Sequence, residues 1–192
     1  MARLHEYQGK EILAANGFKI PRGKAADSPE EAVAAAKELG GEVVIKIQAW
    51  TTGRAGIGGV AFARKPEEAR AHAERMLAMT VGPFPVEAVL VEEKIAIERE
   101  FFLSFAIDDA TRAPIIVFSP GGGSGIEERA ASTRRIACDV TSGPLEAEVK
   151  EAAGSCHLSA KESAQLGDSM RKLFTAARSV EARSPEINPL KS

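Results

Sequence analysis

Apolar positions along this chain recur at helical spacing in some stretches and at strand spacing in others, and the period changes several times. Leu4 to Asn16 reads as a short helix, stopped by Asn16-Gly17 and followed by an extended connection through Pro21. Ser28-Pro29-Glu30-Glu31 is a capping box with proline at the first helical position. It is followed by Ala32, Val33, Ala36 and Leu39 on one face and a Gly40-Gly41 stop. Val43 to Gln48 is a β-branched run with alternating faces, and Val60 to Ala63 a second strand. The glycine-rich loop from Thr51 to Gly59 therefore joins two predicted antiparallel strands. Pro66 opens a third helix carrying Ala69, Ala73, Met76 and Leu77, and a proline-containing linker runs from Gly82 to Pro85.

Strands are predicted over Val86 to Val91, Glu98 to Ile107 and Pro114 to Phe118, with a turn at Asp108 to Arg112. A second glycine-rich stretch, 120–125, precedes a short strand near Arg135 to Cys138. Two helices are predicted over Leu145 to Ala153 and Ser159 to Val180. This order gives an α+β fold and argues against the regular alternation of a Rossmann sheet.

Composition narrows the partners. With 192 residues, 44% of them hydrophobic, the chain can bury one sizeable core or two small lobes sharing it. Its 25 basic and 27 acidic residues are intermixed and sum to −2, so the footprint of a nucleic-acid binder is missing and any anionic ligand must be held locally. No apolar run is long enough to cross a bilayer, and the N-terminus lacks a signal-peptide core. Two cysteines are too few for a metal framework, and a cytoplasmic location with reduced thiols is expected.

Lys46 is the residue most out of place. It sits in an apolar strand on the face of Val44 and Gln48, opposite Val43, Ile45 and Ile47, where an ammonium needs an anion or a route to water. One reading aims it at nucleotide phosphates beside the loop Thr51 to Gly59, whose backbone amides can approach phosphate and whose Arg54 adds a forked cation. The other makes it a strand-edge lysine reaching solvent. The loop is neither a Walker A motif nor a dinucleotide fingerprint. Glu92 and Glu93 follow the strand ending at Val91, and Glu98 and Glu100 share a face of the next. Such acceptors can hold ribose or adenine, although a solvated face describes most of them equally. In Glu186-Ile187-Asn188-Pro189-Leu190 the carboxylate and amide oxygens suit Mg²⁺, while a strand-terminating turn explains the same pattern. The histidines are dispersed, and no nucleophile–base constellation is present, so no residue is assigned as catalytic.

Taken together, LHEYQGKEILAANGFKIPRG at 4–23, VVIKIQ at 43–48, GRAGIGGV at 53–60, VLVEE at 89–93 and EINPL at 186–190 resemble the succinyl-CoA synthetase β-subunit family. GGGSGIEERA at 121–130 and RRIACDVTSGP at 134–144 extend the resemblance over the whole chain, in order. It implies an ATP-grasp fold over 1–192, with a small lobe of about 22–95, a large lobe of about 1–21 plus 96–192, and the nucleotide site between them. By the same resemblance Lys46, Gly53, Arg54 and Ala55 contact the nucleotide phosphates, Glu92 and Ile95 lie near the adenine, Glu100 lines the site, and Asn188 binds magnesium. Pro21 leans toward adenine over guanine.

The departures are specific. Gly56 replaces a lysine of the family loop, Trp50-Thr51-Thr52 replaces a more compact lead-in, and Gly121-Gly122-Gly123 replaces Glu-Gly-Gly. The aspartate expected beyond EINPL as second magnesium ligand and the flavodoxin-like C-terminal domain have no counterpart up to Ser192. The implied function is the ATP-binding portion of an ADP-forming acid–CoA ligase. It would use ATP and Mg with an α-type CoA-binding subunit carrying the phosphohistidine, the flavodoxin-like half being supplied elsewhere. The alternatives are a carboxylate–amine ligase, disfavoured by the missing carboxylates, and a degenerate ATP-grasp module that senses nucleotide or binds a partner without turnover. No nucleic-acid or membrane partner is expected, and the acid substrate stays open.

Overall fold

The computed structural model describes residues 3–97, 99–122 and 132–191. The chain divides into two compact units, Met1–Glu11 with Lys19–Ala96 and Ile12–Phe18 with Ile97–Ser192. Its elements run α1 (Glu6–Ala15), β1 (Gly23–Ala26), α2 (Pro29–Leu39), β2 (Val43–Ile47), β3 (Val60–Ala63), α3 (Pro66–Leu77), β4 (Thr80–Val81), β5 (Phe84–Pro85) and β6 (Val89–Glu93). They continue with β7 (Glu100–Asp108), β8 (Ala113–Ser119), β9 (Arg134–Asp139), β10 (Gly143–Pro144), α4 (Glu146–Ser155), α5 (Ala160–Ser179) and β11 (Glu186–Lys191).

In the first unit the strands form one antiparallel sheet in the order β1-β6-β2-β3. Period-two alternation sends Val43, Ile45, Ile47, Val89 and Val91 to one face, where α2 and α3 cover them with Ala32, Ala35, Ala36, Ala69, Ala73 and Met76. Small alanines let the helices approach the sheet closely. Helix α2 begins as the sequence predicts, with the Ser28 hydroxyl accepting from the Glu31 amide and Pro29 in the first turn. Strand β2 is interior, flanked by β6 and β3, so Lys46 is not the strand-edge lysine of the alternative reading.

The second unit is a five-stranded antiparallel sheet, β10-β9-β8-β7-β11, packed against α4 and α5. Leu103, Ile116, Phe118 and Ile136 from the sheet meet Leu166, Met170 and Leu173 from α5 in its core. Helix α5 starts with a reciprocal capping box between Ser159 and Glu162.

Several boundaries move from the sequence expectation. The strand expected from Val86 begins at Val89, because the Val86 amide instead donates to the Met79 carbonyl beside the small β4–β5 hairpin. The EINPL segment does not end a strand: it is strand β11, paired with β7 through a register shift between Ile187 and Leu190. The Asn188–Pro189 peptide within it is cis. Glu98 and most of the 121–130 stretch lie outside the described residues.

Phe118 is fully buried. Phe118→Ala is expected to destabilise the second unit by about 3–5 kcal/mol, read as a lower urea midpoint at unchanged slope. A loss below about 1 kcal/mol would contradict this packing.

Candidate functional site

The face of the first sheet turned away from α2 and α3 carries Val44, Lys46, Leu90 and Glu92. Lys46 stands opposite Leu90 and Val44 opposite Glu92, so lysine and glutamate are diagonal neighbours. Lys46 Nζ lies 2.7 Å from Glu92 Oε2 and 3.0 Å from Glu6 Oε1. Glu6, in the first turn of α1, accepts a second cation, Arg54 Nη2, at 2.6 Å. Lys10, one turn further along α1, pairs with Glu6 at 2.8 Å and with Glu92 Oε1. Three cations and two carboxylates thus form one continuous network.

Glu92 is only 2% exposed, so it is a buried ion and not part of a solvated face. Gly23 of β1 pairs directly with it. A β-carbon there would stand 2.9 Å from Glu92 Cγ and 2.9 Å from the Val91 carbonyl oxygen, so only glycine leaves room for the buried carboxylate. Burial alone would push the Glu6 carboxyl up, but the Lys46, Lys10 and Arg54 charges outweigh it and hold Glu6 well below the carboxylate range. Burial likewise pulls Lys46 down, and Glu6 with Glu92 reverse it, leaving the ammonium pKa raised. Both groups are therefore charged at neutral pH.

The loop after β2 is tied to this network through Arg54, whose Nη1 donates to the Ile47 carbonyl at 3.1 Å while its own carbonyl accepts from the Gly59 amide at 2.8 Å. Gly59 has to be glycine, since a β-carbon would come within 2.6 Å of Ile47 Cδ1 and 3.0 Å of the Arg54 carbonyl oxygen. The amides of Gly56, Gly58 and Gly59 close the turn internally, whereas those of Gly53, Arg54 and Ala55 have no acceptor among the described residues. Gly53 and Ala55 are exposed. Ile95 follows β6 and is exposed, and Glu93 pairs with Arg22 instead of entering the network.

In the second unit, Glu100 and Asn188 lie on the paired strands β7 and β11, with Lys191 in register with Glu100. Asn188 is exposed and Glu100 half-buried. Gly122 closes against the same place: its amide donates to the Glu100 carbonyl at 2.9 Å, and a β-carbon would meet the Phe101 carbonyl oxygen at 2.8 Å and Pro189 Cβ at 3.0 Å.

The family model described as an ATP-grasp domain matches residues 3–192. This chain belongs to the ATP-grasp domain family. The ATP-grasp chain is 41% identical over 192 residues to the succinate–CoA ligase [ADP-forming] subunit beta 1 of Archaeoglobus fulgidus, which spans 98% of this chain and 50% of that protein. It is 40% identical over 191 residues to the corresponding beta subunit of Rubrobacter xylanophilus, covering 97% of this chain and 50% of the relative. It therefore spans about half the length of the curated relatives it matches. A dinucleotide-forming acetyl-coenzyme A synthetase 1 from Ca. Korarchaeum cryptofilum, solved with coenzyme A, Ca-AMPCP and HgCl⁺, superposes with a TM-score of 0.81. At 20% identity, over 98% of this chain and 86% of that one, the likeness is one of fold.

Sequence reasoning singled out Lys46, Arg54 and Glu92 but not Glu6, Lys10 or Gly23, which complete the cluster of this ATP-grasp chain. The available signal was the Glu6–Lys10 pair at i,i+4 spacing inside the LHEYQGK motif, an arrangement equally common on solvated helices. Glu6 contributes stability above its ordinary value of 4.5, and this is lost as pH falls below it. Urea unfolding from pH 7 to pH 2 should show a shallower acid loss for Glu6→Gln than for the unsubstituted chain. Equal slopes would contradict a depressed Glu6 carboxyl.

Proposed function

We propose that this chain is the ATP-binding portion of an ADP-forming acid–CoA ligase of the succinyl-CoA synthetase kind. The observation that supports the reading most is the meeting of Lys46 and Arg54 on one carboxylate, at the mouth of a loop whose three successive amides are open. Two fixed cations and adjacent backbone N–H groups are what a triphosphate needs, because phosphoryl transfer is catalysed mainly by positioning and charge neutralisation. In this reading Lys46, Gly53, Arg54 and Ala55 hold the phosphates, Ile95 and Glu100 serve the nucleoside, and the buried Glu92 positions Lys46.

Asn188 suits a magnesium ion brought in by the nucleotide. It is an exposed residue of β11, the strand paired with β7, and its amide oxygen is a hard donor. Among the described residues no cluster of three His, Cys, Asp or Glu could hold a metal alone, which fits an ion whose other ligands are phosphate oxygens and water. The ion would neutralise phosphate charge during transfer.

The phosphoryl acceptor is a histidine on an α-type CoA-binding subunit, from which the phosphate passes to a carboxylic acid before CoA displaces it as the thioester. A flavodoxin-like half, supplied elsewhere, completes the β part. The reaction belongs in the cytoplasm and needs neither nucleic acid nor membrane. No helix among the described residues is long and apolar enough to span a bilayer. The second reading, a nucleotide sensor without turnover, is favoured by one observation, Gly56 standing where the resembled loop has lysine.

Calorimetric titration with Mg-ATP is expected to show binding that Lys46→Ala and Arg54→Ala each weaken by about 10- to 100-fold, the range for a lost charge-assisted contact. Absence of binding, or binding unchanged in both variants, would overturn the proposal. Adding a candidate α subunit, acid and CoA separates the readings: thioester formation supports the ligase, and binding without it the sensor.

A further inference from the structure

The cluster holds two carboxylates, and they are not equivalent. Glu92 is fixed in the sheet and almost wholly buried, whereas Glu6 reaches in from the first turn of α1 and remains 19% exposed. Glu6 Oε1 accepts from Lys46 and Oε2 from Arg54, so one carboxylate spans the two cations assigned above to phosphate. The Tyr7 amide, donating to the side-chain oxygen of buried Gln48 at 3.3 Å, ties α1 to the end of β2 and keeps Glu6 within reach.

From this geometry we infer that Glu6 is a built-in competitor of the nucleotide: its carboxylate occupies the cations that the phosphates require. The inference rests on the nucleotide reading and deepens it by naming a residue that sets affinity. Lys10 makes the exchange possible. It already pairs with both Glu6 and Glu92, so Glu6 can release Lys46 and Arg54 to an incoming phosphate and still keep a cation on its own helix. The five groups carry one net positive charge, and removing the Glu6 charge leaves two facing the ligand. A purely structural Glu6 would behave in the opposite way, since its loss would disorder Lys46 and Arg54 and weaken any anion they bind.

The test titrates Glu6→Gln and Glu6→Asp, each in the full chain, with ATP and with inorganic tripolyphosphate. Glu6→Asp keeps the charge but retracts the carboxylate, and serves where Glu6→Gln fails to fold. Both ligands are expected to bind the variants about three- to tenfold more tightly than the unsubstituted chain, with the gain shrinking as salt is raised. Unchanged or weaker affinity in the folded variants, while the unsubstituted chain binds, overturns the competitor role alone. If neither the unsubstituted chain nor the variants bind either ligand, the nucleotide reading falls and this inference falls with it.

Discussion

A carboxylate as deeply buried as Glu92 needs cations to meet it inside the protein, because the cost of stripping its water is several kcal/mol. Lys46 and Lys10 do so, and much of the first unit follows from accommodating these charges. Gly23 must lack a side chain so that β1 can lie against Glu92. Strand β2 must be interior so that Lys46 projects beside Glu92 and not into open solvent. Once Lys46 and Lys10 are both present their charge needs a further carboxylate, which Glu6 supplies, and Glu6 in turn fastens Arg54 and the glycine loop. Helix, sheet and loop are thereby held by one network, and a ligand that competes for its cations acts on all three.

The fold was largely legible from local chemistry. The Ser28 capping box, Pro66 at a helix start and the β-branched run at Val43 each announce an element through interactions within a few residues. Lys46 was also legible, because a lysine on an apolar strand demands an explanation wherever the strand lies. Its partners were not. Glu6 is 40 residues from Lys46, and Glu92 is 46 away on the other side. Nothing in VLVEE shows that its outer face will be covered, so the local pattern makes Glu92 look solvated when β1 and α1 in fact bury it. The EINPL turn fails for a related reason: a proline inside a strand is tolerated at a bulge on an edge, and β11 is an edge strand.

The second unit adds a different kind of place. Glu100, Pro189 and Gly122 converge where β7 and β11 pair, and the glycine is required by contact with Pro189 and the Phe101 carbonyl. On the proposed reading the chain supplies charge and positioning while the phosphoryl acceptor lies on another subunit, which accounts for a set of site residues without a nucleophile–base pair. The curated relatives are about twice as long.

The central claim, that the Lys46–Arg54–Glu6 cluster is where nucleotide phosphate binds, is tested most directly by nuclear magnetic resonance of the lysine ammonium and arginine guanidinium groups during titration with Mg-ATP. The account predicts that the Lys46 and Arg54 side-chain signals shift and saturate together with binding, while the exposed Arg64 and Arg70 pairs stay unmoved. Saturable ATP binding that leaves the Lys46 and Arg54 signals where they were would contradict it.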